Sequence, residues 1–179
     1  MTVEFDETGT RLDEFLQVYV STMDRRKASS GYYFPRRFFE SLLTDLKGHV
    51  VIVHALAGGK VVSSEIILLA REYAYSFLGG TLSEAFSLSP NYLLKHETFR
   101  WCRDRGLKAV VLGGGYQPND GILRYKQTFT GDPPGAFRLG RKTFDADLSS
   151  RLTESRRLWE QGQGRTWAPL PEFFPDYRS

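Results

Sequence analysis

The sequence predicts one α/β domain with a mixed, mostly antiparallel sheet flanked by helices. Three observations predict it. Two segments with apolar residues at helical spacing come first, a block of β-branched and aromatic runs follows, and a long helical segment then leads into a short strand closed by three glycines.

Leu12, Phe15, Leu16, Tyr19 and Met23 recur at spacings of three and four, which predicts an amphipathic helix over residues 11–23. Phe38, Phe39, Leu42, Leu43 and Leu46 repeat the pattern, with Gly48 placed to stop that second helix. Strands are predicted in Val50–Val53, Val61–Leu69 and Tyr73–Leu78. The turns Gly58-Gly59 and Arg71-Glu72 make an antiparallel meander the economical pairing. Ser89-Pro90 reads as an N-cap with proline at the first helical position, opening a helix that ends near Arg105-Gly106. Cys102 falls on its core-facing arc. Lys108–Leu112 is a short strand ending in Gly113-Gly114-Gly115, and a short helix spans about Asp120 to Phe129. Beyond Pro133-Pro134, a last strand or two are expected between Ala136 and Phe144, then a polar helix over 147–160. The reading is one domain over 1–160, with residues 161–179 as an aromatic, proline-rich tail packing on it.

Composition narrows the function. The 179 residues are 41% hydrophobic, enough for one buried core. No run approaches the roughly 20 apolar residues that span a bilayer, and Met1–Asp6 is too acidic for the start of a signal peptide, so a cytoplasmic location without membrane insertion is expected. The single cysteine, Cys102, rules out an intrachain disulfide and any cysteine-based zinc cluster. His96-Glu97 begins like a zinc-protease helix, but arginine stands at position 100 where a second histidine is needed, so no metal is expected. The glycine run lacks a following Gly-Lys-Ser/Thr, and no Gly-x-Ser-x-Gly elbow occurs. A net charge of +3 leaves room for an anionic partner such as RNA or a nucleotide.

The order of elements resembles the acetyltransferase superfamily known as GNAT, a fold of acyl-CoA N-acyltransferases. Within it, three segments resemble the C-terminal transferase domain of Fem-type (FemABX) aminoacyltransferases. They are Tyr19–Pro35; Leu78-Gly79-Gly80-Thr81 with Ser89-Pro90-Asn91-Tyr92-Leu93-Leu94 and Glu97; and Leu112–Gly115 with Asp120–Phe129. The resemblance covers residues 11–145 and implies transfer of an aminoacyl group from aminoacyl-tRNA to an amine, in a peptide or a peptidoglycan-like precursor. Members that build cell-wall bridges usually carry two such domains. Acetyl-CoA users carry Arg/Gln-x-x-Gly-x-Gly/Ala before the long helix, whereas Thr81–Ser89 holds neither glycine nor arginine. Aminoacyl-tRNA is therefore the expected donor, acyl-CoA the alternative, and a non-catalytic RNA- or protein-binding module a third reading. No tightly bound cofactor is expected.

Lys126 lies four residues after Ile122 and three before Phe129, an ammonium on an otherwise core-facing stripe that calls for an anionic partner. The resemblance implies that it holds a substrate phosphate. Gly79-Gly80 and Gly113-Gly114-Gly115 are read as turns ending neighbouring strands, either tight turns alone or places where a ligand meets bare backbone. Tyr116 and Asp120 flank the second turn as candidates to relay the amine's proton, although Asp120 reads in the first place as a helix cap. Tyr32, Tyr33, Thr81, Asn91, Glu97, Arg124 and Phe129 complete the expected substrate site. Arg25, Arg26 and Lys27 read either as contacts for tRNA phosphates or as a solvated face.

Overall fold

The computed structural model describes residues 1–115, 120–131, 135–136, 138–171 and 173–179. Five strands, β1 (Thr2–Asp6), β2 (Val50–Ala57), β3 (Lys60–Leu69), β4 (Tyr73–Thr81) and β5 (Ala109–Val111), form one sheet in the order β1-β2-β3-β4-β5. Every neighbouring pair is antiparallel except β4–β5, which is parallel. The helices are α1 (Leu12–Arg26), α2 (Arg36–Asp45), α3 (Pro90–Asp104), α4 (Gly121–Gln127) and α5 (Ala146–Gly162). The predicted meander and helices thus form, within a few residues of their expected limits.

β2 explains why its sequence is a continuous apolar run rather than an alternating one: both of its faces are covered. On one side Val50 and Ile52 join Phe15 and Tyr19 of α1 and Phe39 of α2. On the other Val51, Val53 and Ala55 join Leu94 and Cys102 of α3. Phe15, Tyr19 and Phe39 contact one another ring to ring at 5.3–5.7 Å, fastening α1 and α2 to the same patch of sheet. Cys102 is buried, and burial pushes its thiol up, as befits a core residue.

Three expectations need correction. Strand β1 was not expected, because Val3 and Phe5 alone carry its apolar side; Phe5 finds its partner at distance, stacked on Trp101 of α3 at 5.0 Å. No strand forms among the described residues of 136–144. Ser89 precedes α3 in a left-handed conformation (φ 49°) without a side-chain cap bond, so proline at the first position, not a serine cap, marks that helix start.

Contacts along the chain separate two compact units, Met1–Asp132 and Pro133–Ser179. In the second, Asp145 caps α5 by accepting from Leu148 N at 2.8 Å. Glu160 takes Arg156 and Arg165 at 2.6 and 2.5 Å, and Trp167 Nε1 donates to Ser179 O at 3.1 Å. Among the described residues no helix is long and apolar enough to cross a membrane.

In the first unit, β1 and β2 bury a titratable pair. Asp6 accepts from the backbone N–H groups of Thr8, Gly9 and Arg11 at 2.8–3.0 Å, closing the turn into α1. Burial works to raise its carboxyl, but these amide bonds prevail and hold it below the usual carboxylate value. His54 is fully buried, with Nδ1 2.9 Å from Ser64 Oγ and Nε2 3.8 Å from Asp6, too far for a hydrogen bond. Burial lowers its pKa from 6.5 despite the nearby Asp6, so the imidazole is neutral in the fold. The unfolded histidine takes a proton more readily than the folded one. Stability is therefore complete above about pH 6.5 and declines as the pH falls from there toward the lower folded value. Urea unfolding across this window should show that decline, and His54→Gln should flatten it.

Candidate active site

β4 is nine residues long, but β5 covers only its start: the last pair in register is Tyr75 with Val111. Register with β3 jumps from Leu78 to Ser76, leaving Phe77 as a bulge just where β5 ends. A bulge bends its strand and re-aims the side chains beside it. From Ser76 to Thr81 β4 has no β5 partner, and a cleft of about 640 Å³ runs along this part of β4. Its wall includes Thr22, Arg25 and Arg26 of α1, Tyr32 of the following loop, Asn91 and Lys95 of α3, and Tyr125 and Lys126 of α4.

Two close packings hold the walls. Gly79 and Gly80 lie inside β4, not in a turn, and their lack of side chains serves neighbouring backbone and helix. A Cβ on Gly79 would sit 2.5 Å from Ser64 O, and one on Gly80 would overlap Thr22 Oγ1 of α1. Thr81 N donates to that same Thr22 hydroxyl at 3.1 Å. On the α3 side Lys95, 4% exposed, donates to both Glu65 oxygens at 2.7 Å and to Ser76 Oγ at 2.9 Å; Ser76 Oγ in turn donates to Glu65. All three ammonium protons of Lys95 are used. This closed cluster ties β3, β4 and α3 together at the residue where β4 parts from β5.

Tyr125 donates to Asn91 O at 3.2 Å, and burial raises its phenol far above the ordinary tyrosine value. Lys126 is half-buried and donates to Gly114 O at 2.7 Å. Burial first, then the nearby Lys95 ammonium, lower its pKa against the opposing pull of Glu65 and Asp120. Gly113, at φ +70°, needs glycine for its backbone, and the place its Cβ would take is 3.7 Å from Lys126 Nζ. Four cations, Arg25, Arg26, Lys95 and Lys126, face one carboxylate, Glu65, across the cleft.

The structure therefore gathers Lys126, Asn91, Tyr32, Thr81, Gly79, Gly80, Arg25 and Arg26 around one cleft and leaves other expected residues outside its lining. Asp120 caps α4, its Oδ1 accepting from Leu123 N at 2.7 Å. Its carboxylate also lies where a Cβ on Gly115 would go. Glu97 sits with Arg100 at 3.3 Å on the outer face of α3. Phe129 packs against Tyr92, Phe99 and Tyr125 at 5.1–5.6 Å, so it is an aromatic plug between α3 and α4. Tyr33 donates to Asp24 at 2.9 Å, which raises its phenol, and Lys27 ends α1 in a left-handed turn. Arg124 and the glycines 113–115 are likewise not in the lining. Tyr116 lies outside the described residues. Arg25, though exposed, donates to Thr81 O at 3.3 Å and lies 4.8 Å over the Phe86 ring, at the wall of the cleft.

Sequence reasoning passed over Glu65, Ser76, Lys95 and Tyr125. A signal for the first and third was present: a glutamate within an apolar strand and a lysine on the buried arc of α3 are each costly alone and demand each other.

The chain belongs to the GNAT acetyltransferase-domain family, whose model matches residues 1–127. Solved structures share its fold at low identity. An aminoglycoside acetyltransferase from an uncultured soil metagenomic sample, in complex with sisomicin, is 12% identical with a TM-score of 0.60, covering 79% of this chain and 96% of its own. The ribosomal-protein-alanine N-acetyltransferase of Brucella melitensis biovar Abortus 2308 is 15% identical with a TM-score of 0.57, covering 79% and 100%. AAC(6')-Iy, in complex with the bisubstrate analogue CoA-S-monomethyl-acetylneamine, is 12% identical with a TM-score of 0.55, covering 80% and 99%. No curated protein matches the chain by sequence. The expected Fem-type resemblance and its aminoacyl-tRNA donor find no support in these likenesses.

Two substitutions test how the walls are held. Lys95→Met strands a buried carboxylate and should cost about 3–5 kcal/mol in urea unfolding, most of it regained in the Glu65→Leu/Lys95→Met double variant. Gly80→Ala should cost about 1–3 kcal/mol by forcing α1 away from β4.

Proposed function

We propose that the chain is an acyl-CoA-dependent N-acyltransferase, with the end of β5 pairing at Tyr75, six residues before β4 itself ends, as the observation that carries the reading. Beyond Tyr75 the β4 backbone is no longer covered by β5. An extended donor bearing amides can run along it as a strand would, bringing its thioester to the apex beside Ser76 and Tyr125. The segment before α3 does not supply the glycine nest expected of a pyrophosphate site. Residues Ser83–Leu88 form 3₁₀ turns whose Ala85 and Ser89 amides bond within the segment, to Leu82 O and Phe86 O. Donor phosphates would instead meet the side-chain cations Arg25 and Arg26 on the α1 side of the cleft.

In the reaction a neutral acceptor amine attacks the thioester carbonyl carbon. A C–N bond forms, the C–S bond breaks, the thiolate leaves with a proton, and the proton shed by the amine nitrogen restores the group that gave it. Tyr125 is the group suited to give that proton. Its phenol stays protonated at neutral pH, faces the cleft, and is held by Asn91 O. Gly114 O and α4 hold Lys126 beside the same apex. Relatives named for aminoglycoside and ribosomal-protein acetylation support an amine as acceptor and leave its identity to assay.

The test offers acetyl-CoA and charged tRNA separately to the purified chain across a panel of amines. Amide formation from the thioester is expected, with kcat reduced about 10²–10⁴-fold in Tyr125→Phe. Amide formation from charged tRNA alone would return the donor to aminoacyl-tRNA, and inertness toward both would leave a binding module.

A further inference from the structure

We infer that Lys126 is a self-acylation site, where the chain's own amine is acylated by the thioester bound in its cleft. The inference rests on the acyl-CoA reading above and adds a covalent modification to it.

Of the cations lining the cleft, Arg25 and Arg26 cannot deprotonate and so cannot act as nucleophiles. Lys95 has all three of its protons committed to Glu65 and Ser76, and losing one would break a buried ion pair. Lys126 differs from both. It lines the cleft, and its Nζ is anchored by a bond to Gly114 O, three residues past the end of β5. Among the described residues, Gly113 and Gly114 present bare backbone beside it, the place of a Gly113 Cβ lying 3.7 Å from Nζ. Partial burial and the second ammonium at Lys95 favour its neutral form, the same physical device that makes a lysine nucleophilic in other active sites.

The step balances without a co-reactant. Neutral Nζ attacks the thioester carbonyl, the N–C bond forms and the C–S bond breaks. The proton lost from nitrogen goes to the departing sulfur, giving free CoA thiol and an Nε-acyl-lysine. The new amide keeps one N–H, enough to continue donating to Gly114 O, so the product costs the fold no hydrogen bond. It removes one of the four cations facing Glu65 and places an acyl group at the apex, where it obstructs a second donor. Because an amide is not readily returned to an amine, the product is a stopped enzyme and not an intermediate.

The six other lysines serve as internal controls: Lys27, Lys47, Lys60, Lys108 and Lys142 are exposed, and Lys95 is buried and saturated. The full chain is incubated near neutral pH with acetyl-CoA and no acceptor, and acetylation is followed by intact mass and peptide mapping, beside a urea-denatured sample. Calorimetric CoA binding is measured in parallel. One acetyl group per chain at Lys126 is expected, formed at least about tenfold faster than at any other lysine, a modest return for holding amine and thioester in one cleft. The preference should vanish on denaturation. In Lys126→Arg, if it folds, the single fast acetylation should be absent. Label spread over exposed lysines with Lys126 not leading, or an unchanged pattern after denaturation, would overturn the inference. CoA binding without label at Lys126 overturns it while the donor reading stands; no CoA binding overturns both.

Discussion

The early end of β5 is the constraint on which the site depends. Three residues of β5 pair with the first three of β4, and the bulge at Phe77 turns the rest of β4 away. Had the two strands paired along their length, no cleft would lie between them and the interior would be continuous sheet. The helices are arranged around that gap: α1 closes on β4 over Gly80, α3 is tied to it through Lys95, and α4 brings Tyr125 and Lys126 to its apex.

Charge is used in two ways within a few residues. Glu65, Lys95 and Ser76 form a saturated cluster with no donor left to offer a ligand, so their work is positional. A buried ion pair contributes little net stability over an apolar replacement, but breaking one partner is expensive, which suits a device that fixes where three elements meet. Lys126 and Tyr125 are held more loosely, by backbone carbonyls, and face open space. Their environments push them in complementary directions, the phenol toward staying protonated and the amine toward losing its charge. A cleft holding both a proton donor and a nitrogen nucleophile is chemically suited to acyl transfer.

The helices and the meander were legible because their apolar spacing is local. β1 was not, since Phe5 is explained only by Trp101 across the sheet. Lys126 was legible as a charge out of place on a stripe. Its surroundings were not: it donates to a carbonyl oxygen, and its charge is acted on by Lys95 as well as by Glu65 and Asp120. Gly79-Gly80 suggested a turn because paired glycines usually make one. What they permit is tight packing of Ser64 and Thr22 against a strand, a requirement written in residues 15 and 58 positions away. Lys95 and Glu65 are individually improbable and jointly sensible, a pairing that only the register of β3 and β4 with α3 makes visible.

In the proposed complex the donor lies along β4 beyond Tyr75, the last residue that β5 pairs with. Amide hydrogen exchange with and without CoA addresses it residue by residue. Protection gained at Ser76–Thr81 on CoA addition, with little change along β1 and β2, is the predicted result. Unchanged exchange in Ser76–Thr81 while CoA binds and protects another part of the chain would contradict it.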